Sequence, residues 1–104
     1  MKPTITYYTN GQIESKEWKN EAGQTHRLDG PAYQECRENG QLWVELWYVN
    51  GVRHRLDGPA IRYWYKTGRL EVEVWHINGV KYKTEAEFQV AVDLYKANEI
   101  AELF

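Results

Sequence analysis

Apolar and polar residues alternate along two stretches of the chain, QLWVELWYV (41–49) and RLEVEVWHI (69–77). Successive side chains of a β-strand point to opposite faces of its sheet, so this alternation predicts two strands. Two stretches with weaker alternation, AYQECRE and AIRYWYK, precede them and are predicted to be their partner strands. The pattern places one set of aliphatic side chains on a common face: Leu42, Val44, Leu46, Leu70, Val72 and Val74.

Short polar turns separate the predicted strands. Asn39-Gly40 and Thr67-Gly68 lie between the paired stretches, and Asn10-Gly11, Asn50-Gly51 and Asn78-Gly79 have similar chemistry. Asn-Gly between alternating segments is typical of a two-residue type I′ hairpin turn, in which both central residues have positive φ. The strands are therefore predicted to form an antiparallel meander.

The heptapeptide HRLDGPA occurs twice, at residues 26–32 and 54–60, which gives a period of 28 residues. The register continues into a third, incomplete copy, in which Trp75 corresponds to Trp47. Ahead of the first heptapeptide the match slips by one residue, which indicates a bulge or an insertion. Repeats of this length are typical of stacked supersecondary units, each unable to bury its apolar face alone.

Each heptapeptide is predicted to form a structural corner between hairpins. Its Asp, Gly and Pro supply a turn-capping carboxylate, a residue without Cβ and a fixed φ. The preceding His and Arg can donate to the Asp carboxylate or to loop carbonyls. A metal or acid–base site is the alternative, but one His-x-x-Asp per unit gives too few ligands at either corner. The predicted corner residues are His26, Arg27, Asp29, Gly30 and Pro31, followed by His54, Arg55, Asp57, Gly58 and Pro59.

The hydrophobic period changes in the last segment, KTEAEFQVAVDLYKANEIAELF (83–104), which predicts a helix. Thr84 followed by Glu87 has the spacing of a capping box. The alternatives to one continuous surface helix are a helix buried on two sides and a break at Asn98.

Two apolar stripes run along this predicted helix. One contains Phe88, Ala91, Val92 and Tyr95. One stripe suffices to cover a sheet, so the second stripe indicates another partner and predicts a homodimer. The second stripe has heptad-like spacing and contains Val90, Leu94, Ala97, Ala101 and Phe104.

Length and composition narrow the class of protein. A chain of 104 residues is expected to form a single domain, with the β-hairpin repeat sheet in residues 1–82 and the helix in 83–104. The formal net charge of −2 provides no basic footprint for nucleic acid. Cys36 is the lone cysteine, and no stretch approaches the length of a membrane span. The expected fold class is mainly β with a C-terminal α-helix, and the expected location is the cytoplasm, without a membrane partner.

The sequence offers no recognisable set of catalytic residues. Ser15 is the only serine, Cys36 lies inside a predicted strand, and the glycines belong to turns rather than to a cofactor loop. His76, which replaces Tyr48 of the preceding unit, is expected on a solvated face. We therefore expect a non-enzymatic protein with no cofactor and no metal.

The face opposite the aliphatic set is expected to carry aromatic and acidic side chains, the composition of an interaction hot spot. The aromatic side chains of IRYWYK join this face through Tyr63 and Tyr65, or else through Trp64. The alternatives are that the rings simply shield the sheet beneath the helix, or that RYWYKTGR (62–69) stacks single-stranded nucleic acid. The predicted partner-binding residues are Trp43, Trp47, Tyr63, Trp64, Tyr65, Glu71, Glu73 and Trp75.

The segment WYVNGVRHRLDGPAIRYW, with EVWHINGVKYKTEAEF after it, resembles the WY-x-NG-x-x-HR-x-DGPA repeats of phage, giant-virus and bacterial proteins. Those repeats are similar to variant MORN repeats, and the resemblance covers roughly residues 20–90. It implies an array of β-hairpins, no enzymatic activity and a phage or mobile-element origin. It leads us to expect a small accessory protein that binds and inhibits a host defence protein, or an antitoxin-like neutraliser. The chain departs from the family by continuing beyond TEAEF to Phe104.

Overall fold

The computed structural model describes residues 2–103, and its secondary structure matches the predicted class. Seven strands form one antiparallel sheet in the order β1-β2-β3-β4-β7-β8-β9, while β5 and β6 form a small separate hairpin. In the described residues one helix, α1, follows the last strand. The elements are β1 (Thr4–Tyr7), β2 (Ile13–Glu17), β3 (Tyr33–Cys36), β4 (Leu42–Leu46), β5 (Tyr48–Val49), β6 (Val52–Arg53), β7 (Ile61–Trp64), β8 (Leu70–Ile77), β9 (Val80–Tyr82) and α1 (Glu85–Ala101).

Three hairpins follow one another along this sheet: β1-β2, β3-β4 and β7-β8. The register of each shifts by one residue, so that its second strand carries one extra residue: Glu14, Trp43 or Glu71. In the first hairpin the Thr6 hydroxyl contacts both Glu14 and Ser15, so these two consecutive side chains lie on the same face. A bulge of this kind interrupts the alternation of faces.

Because of the bulges, the predicted aliphatic residues do not all lie on one face. Leu42 precedes the bulge of β4 and lines a small cleft with Lys16 and Gln34, which lie on the face opposite Val44. The same shift occurs in β8, where Leu70 precedes the bulge at Glu71. The predicted set of six aliphatic residues therefore divides, because strict alternation does not continue across a bulge.

The turns are of two kinds. Asn50 and Gly51 have φ of 50° and 78°, and Asn78 and Gly79 have φ of 48° and 82°, as the type I′ prediction requires. In the other three turns only the glycine has positive φ, and the prediction of type I′ is wrong. There the loop contains three residues: in the first of them Tyr8 N–H donates to Gln12 O, and the N–H of Gly11 donates back to Tyr8 O.

The one-residue slip near the N-terminus is an insertion in a turn. Trp18 and Trp47 are equivalent, since their N–H groups donate to Ala32 O and Ala60 O in the same way, each at 2.8 Å. Between Trp18 and His26 the chain is one residue longer than between Trp47 and His54. The extra residue lies in the larger first turn, so the strands on either side keep the same pairing.

Helix α1 packs on the sheet through the first predicted stripe. Phe88 and Val92 are buried with Ile77, and Leu56, Trp75, Tyr82, Ala91 and Tyr95 surround them. The Thr84 hydroxyl accepts from Glu87 N–H at 3.1 Å, as the capping pattern predicts. The helix begins at Glu85 and continues through Asn98 to Ala101, without the alternative break.

Burial is concentrated at two places in a thin molecule, whose extents are 54 × 33 × 16 Å. One is the cluster under α1, and the other follows the starts of β3 and β7, where Ala32 and Ala60 are fully buried. His76 is 5% exposed, so its predicted position on a solvated face is wrong. No helix in residues 2–103 is long and apolar enough to cross a membrane.

Candidate functional site

The arginine of each heptapeptide holds its corner together. Arg55 donates from Nε to Asp57 Oδ1 at 2.8 Å and from Nη1 to Pro59 O at 3.1 Å. Its guanidinium carbon lies 3.9 Å from the centre of a Trp47 ring. The hydrogen bond and the charge of Arg55 lower the pKa of the Asp57 carboxyl below its usual value.

The first corner repeats these contacts residue by residue. Arg27 donates to Asp29 Oδ1 at 3.0 Å and to Pro31 O at 3.2 Å, and it lies 4.0 Å from the Trp18 ring centre. Because the same three partners occur in both copies, this geometry is a property of the repeated sequence.

The glycine of the heptapeptide allows the arginine to approach. A Cβ on Gly58 would lie 2.8 Å from the Arg55 guanidinium carbon, and one on Gly30 would lie 2.7 Å from that of Arg27. Any side chain at these positions therefore displaces the guanidinium.

The histidines make a contact that differs from the predicted one. His26 Nδ1 accepts from Asn50 N–H at 2.9 Å, and His54 Nδ1 accepts from Asn78 N–H at 3.0 Å. We expected these rings to donate to Asp or to loop carbonyls; instead each accepts from the Asn-Gly turn of the following unit. An acceptor nitrogen must be unprotonated, so this contact requires a neutral histidine. Burial lowers the pKa of His54, while the charge of Glu99 opposes that shift.

A shallow groove of about 320 Å³ separates the two corners. Its lining residues are Arg27, Leu28, Asp29, Trp47, Val49, His54, Arg55, Leu56 and Asp57. Leu28 is 76% exposed at its rim, whereas the equivalent Leu56 contacts the cluster under α1. Residues 2–103 contain no group of three or more His, Cys, Asp or Glu side chains placed to hold a metal ion. Both guanidinium groups beside the groove are already paired with aspartates. The groove is therefore a candidate contact surface rather than a site built around free charges.

The predicted partner-binding residues do not lie together on one face. Tyr63 pairs with Val44 and Val72, so it lies on the aliphatic side. Its ring is tilted against that of Trp43, with ring centres 6.3 Å apart. Trp64, the next residue along β7, takes the opposite face and pairs with Leu70.

Two tryptophans of the predicted partner-binding set, Trp47 and Trp75, are covered by other side chains. The Arg55 guanidinium lies over Trp47, and Phe88 of α1 packs against Trp75 with ring centres 6.5 Å apart. Glu73 contacts Arg62 at 3.7 Å. The exposed members of the set are Tyr65 and Glu71, at the tip of the third hairpin. In this geometry RYWYKTGR presents one exposed ring rather than a row of stacking rings.

The hairpin tips carry a ladder of contacts that the sequence did not reveal. The Tyr8 hydroxyl donates to Cys36 O at 2.7 Å, across to the second hairpin. Arg37 occupies the equivalent position there and donates from Nη2 to Trp64 O of the third hairpin at 2.9 Å. The only sequence signal for this ladder is the repeat spacing that makes Tyr8, Arg37 and Tyr65 equivalent. Because the middle residue is an arginine and the other two are tyrosines, the equivalence is hard to see in the sequence.

The second apolar stripe of α1 faces away from the sheet. Val90 and Leu94 are 62% and 61% exposed, and Ala97 and Ala101 are also exposed. Phe104 lies outside the described residues. Ile100 and Leu103, which the predicted stripe omits, are 58% and 81% exposed beside it.

Comparison of the chain with protein-family models, with curated proteins and with solved structures found no match.

Proposed function

We propose that this protein is a non-enzymatic protein-binding module that docks through the outward apolar stripe of α1. The observation that carries the proposal is the exposure of Val90 and Leu94, each more than half exposed, on a helix whose other stripe is packed; the exposed Ala97 and Ala101 continue their stripe. Contiguous exposed apolar side chains rimmed by polar residues are typical of interaction surfaces.

The first occupant of this stripe is a second copy of the chain. The positions Val90, Leu94, Ala97 and Ala101 are separated by four, three and four residues, which suits packing against another helix. A homodimer formed in this way leaves both corner rows and both sheets accessible to a further partner.

The further partner that we propose is a host protein. The support is the resemblance of the HRLDGPA repeats to those of phage and other mobile-element proteins, from which we infer binding and inhibition of a host defence protein in the host cytoplasm. An antitoxin-like neutraliser is the alternative. The exposed rim of the groove between the corners, with Leu28 and Asp29, is the surface that we assign to this contact.

The dimer is tested by sedimentation of Leu94→Glu against the matched control Gln89→Glu. Both variants add one negative charge to an exposed helix position, but only Leu94 belongs to the outward stripe. At the lowest protein concentrations, before any further association of the dimer, we expect wild type and Gln89→Glu to be dimeric and Leu94→Glu to be a folded monomer. At these concentrations a monomeric wild type, or a dimeric Leu94→Glu, would contradict the proposed interface.

The host partner is tested by capture from bacterial lysate with Leu28→Asp as the comparison and Glu21→Gln as the control, since both positions are exposed. We expect a host protein that wild type and Glu21→Gln retain and Leu28→Asp loses. It should also lose its own activity when the purified wild-type protein is added. Equal capture by all three proteins would remove the corner groove from the proposal.

A further inference from the structure

The hairpins of the sheet join one another in one repeated way. Strand β2 pairs with β3, and β4 pairs with β7, in corresponding registers. The first junction pairs Glu17 with Tyr33, Lys16 with Gln34 and Ser15 with Glu35. At the equivalent positions, the second junction pairs Leu46 with Ile61, Glu45 with Arg62 and Val44 with Tyr63. The second strand of each hairpin thus receives the first strand of the next.

The tip ladder strengthens each junction. Besides Tyr8 and Arg37, Asn10 donates from Nδ2 to Glu38 O at 2.9 Å, and Gln41 donates from Nε2 to Tyr65 O at 3.5 Å. Every one of these side chains reaches from one hairpin to a backbone carbonyl of the next. The junction therefore consists of a strand pair and a row of side-chain donors.

The second strand of the third hairpin, β8, has an outer edge like those of β2 and β4, but no following hairpin in the described residues pairs with it. Strand β9 pairs with β8 only over residues 75–77, so in the described part of the chain residues 70–74 have a neighbour on the β7 side alone. At its tip Tyr65, Lys66 and Arg69, together with Arg37 of the second hairpin, line a groove of about 870 Å³. Tyr65 is 49% exposed, in the position from which Tyr8 and Arg37 reach the next hairpin.

Helix α1 leaves this end of the sheet open. Its Tyr95 ring lies 5.8 Å from that of His54, and Leu56 contacts its buried side chains. The helix therefore turns back over the second corner. Its contacts on β8 involve Trp75 and Ile77, beyond the open part of the strand.

Strand β1 is the complementary open edge at the other end. Its sequence TITY has no charge and no proline within the strand, and within residues 2–103 the sheet order places it beside β2 alone. Natural sheets usually block such an edge with charged residues, a proline or a covering segment. An unblocked edge of this kind pairs readily with another strand.

We propose that the outer edge of β8 is a docking site for β1 of a second copy, which continues the sheet head to tail. The register of the two internal junctions places Val74 opposite Thr4, Glu73 opposite Ile5 and Val72 opposite Thr6 of the second copy. The Tyr65 hydroxyl then lies where it donates to Tyr7 O of that copy, as Tyr8 does to Cys36 O. This interface is separate from the α1 stripe of the proposed homodimer.

The internal junctions also show which backbone groups face outward. Trp18 N–H donates to Ala32 O between β2 and β3, and antiparallel hydrogen-bonded pairs recur at every second residue. Lys16–Gln34 is therefore a hydrogen-bonded pair, and its equivalent at the new junction is Glu73–Ile5. The N–H of Ile5 thus points away from β2, towards the incoming strand.

Cross-linking tests the proposed register directly. In a Cys36→Ser background, Thr4→Cys and Val74→Cys place single thiols on opposite edges at a pair whose Cα separation, about 4.5 Å, suits a disulfide. We expect a cross-linked dimer when the two proteins are mixed under mild oxidation, and none from either alone. A Thr4→Cys protein that cross-links to itself, or a mixture that does not cross-link, would overturn the proposal.

Ile5→Pro gives the second test, with Ile5→Val as its control. Proline removes the N–H that points away from β2, and it is tolerated on an edge strand. We expect the mean mass of wild type and Ile5→Val to keep rising with concentration beyond the dimer, and that of Ile5→Pro to stop there. The Leu94→Glu change should leave the cross-link intact. If Leu94→Glu abolishes it, the contact belongs to the helix and the sheet-edge proposal fails.

Discussion

Replacement of Gly58 by Ala tests how the repeated corner is stabilised. The new Cβ would lie 2.8 Å from the Arg55 guanidinium carbon and 3.1 Å from its Nε, too close for either atom to stay. The guanidinium must move, and we expect this movement to break its hydrogen bonds to Asp57 and Pro59 O and its stacking on Trp47. The backbone itself is not strained, because Gly58 does not have positive φ.

The size of the effect follows from the three contacts. Asp57 is 78% exposed in its side chain, so its ion pair contributes little. A hydrogen bond from a charged group to Pro59 O is worth about 1.5–3 kcal/mol, and stacking on Trp47 adds about 0.5–1 kcal/mol. Alanine recovers about 0.4–1 kcal/mol by restricting the unfolded chain. We expect a net loss of roughly 1–3 kcal/mol in the free energy of unfolding.

Urea unfolding followed by tryptophan fluorescence measures this loss, and a double-mutant cycle with Arg55→Ala isolates its cause. Once Arg55 is absent, Gly58→Ala meets no guanidinium, so we expect it to be neutral or to stabilise by up to about 1 kcal/mol. Gly30→Ala should repeat the result in the first corner with Arg27→Ala. An equal effect of Gly58→Ala in both backgrounds would refute the role of Arg55.

Two further predictions concern the histidines and the helix. Burial lowers the pKa of His54 and, together with the charges of Arg53 and Lys81, that of His76. Their contribution to stability is therefore fully present above the unfolded histidine pKa of about 6.5 and is lost as pH falls through the lower folded values. Urea unfolding over this pH range should show that fall, and His54→Ala should reduce its steepness; an unchanged slope would contradict the lowered pKa of His54. Thr84→Ala removes the cap at Glu87 N–H and should lower the unfolding free energy by about 1 kcal/mol, while Thr84→Ser should retain most of it.

The local chemistry of the sequence was sufficient to predict the strands and the helix and their order along the chain. Alternation, Asn-Gly turns and the repeated heptapeptide predict the hairpin meander, and the change to a helical period predicts α1 with its cap at Thr84. The two Asn-Gly turns that precede a heptapeptide or the helix also have the predicted backbone conformation. These features depend on residues that are close in sequence, which is why the pattern alone contains them.

The tertiary structure decided which side chains face each other. The bulges at Trp43 and Glu71 reverse the faces of the residues before them, and no local signal marks their position. Likewise, His26 and His54 become acceptors because a turn 24 residues away presents its N–H there. Candidate sites depend on such long-range contacts.

The two stripes of α1 show the same division. The sequence shows the spacing of both stripes, but each has apolar residues that could cover a sheet, so the sequence does not indicate which one packs. The choice was settled by what the folded sheet offers: Ile77 and Trp75 form an apolar surface that receives Phe88 and Val92. The stripe through Val90 and Leu94 was left outward because a helix presents only one face to a single sheet. Sequence determines that a surface exists, and packing determines which surface remains free.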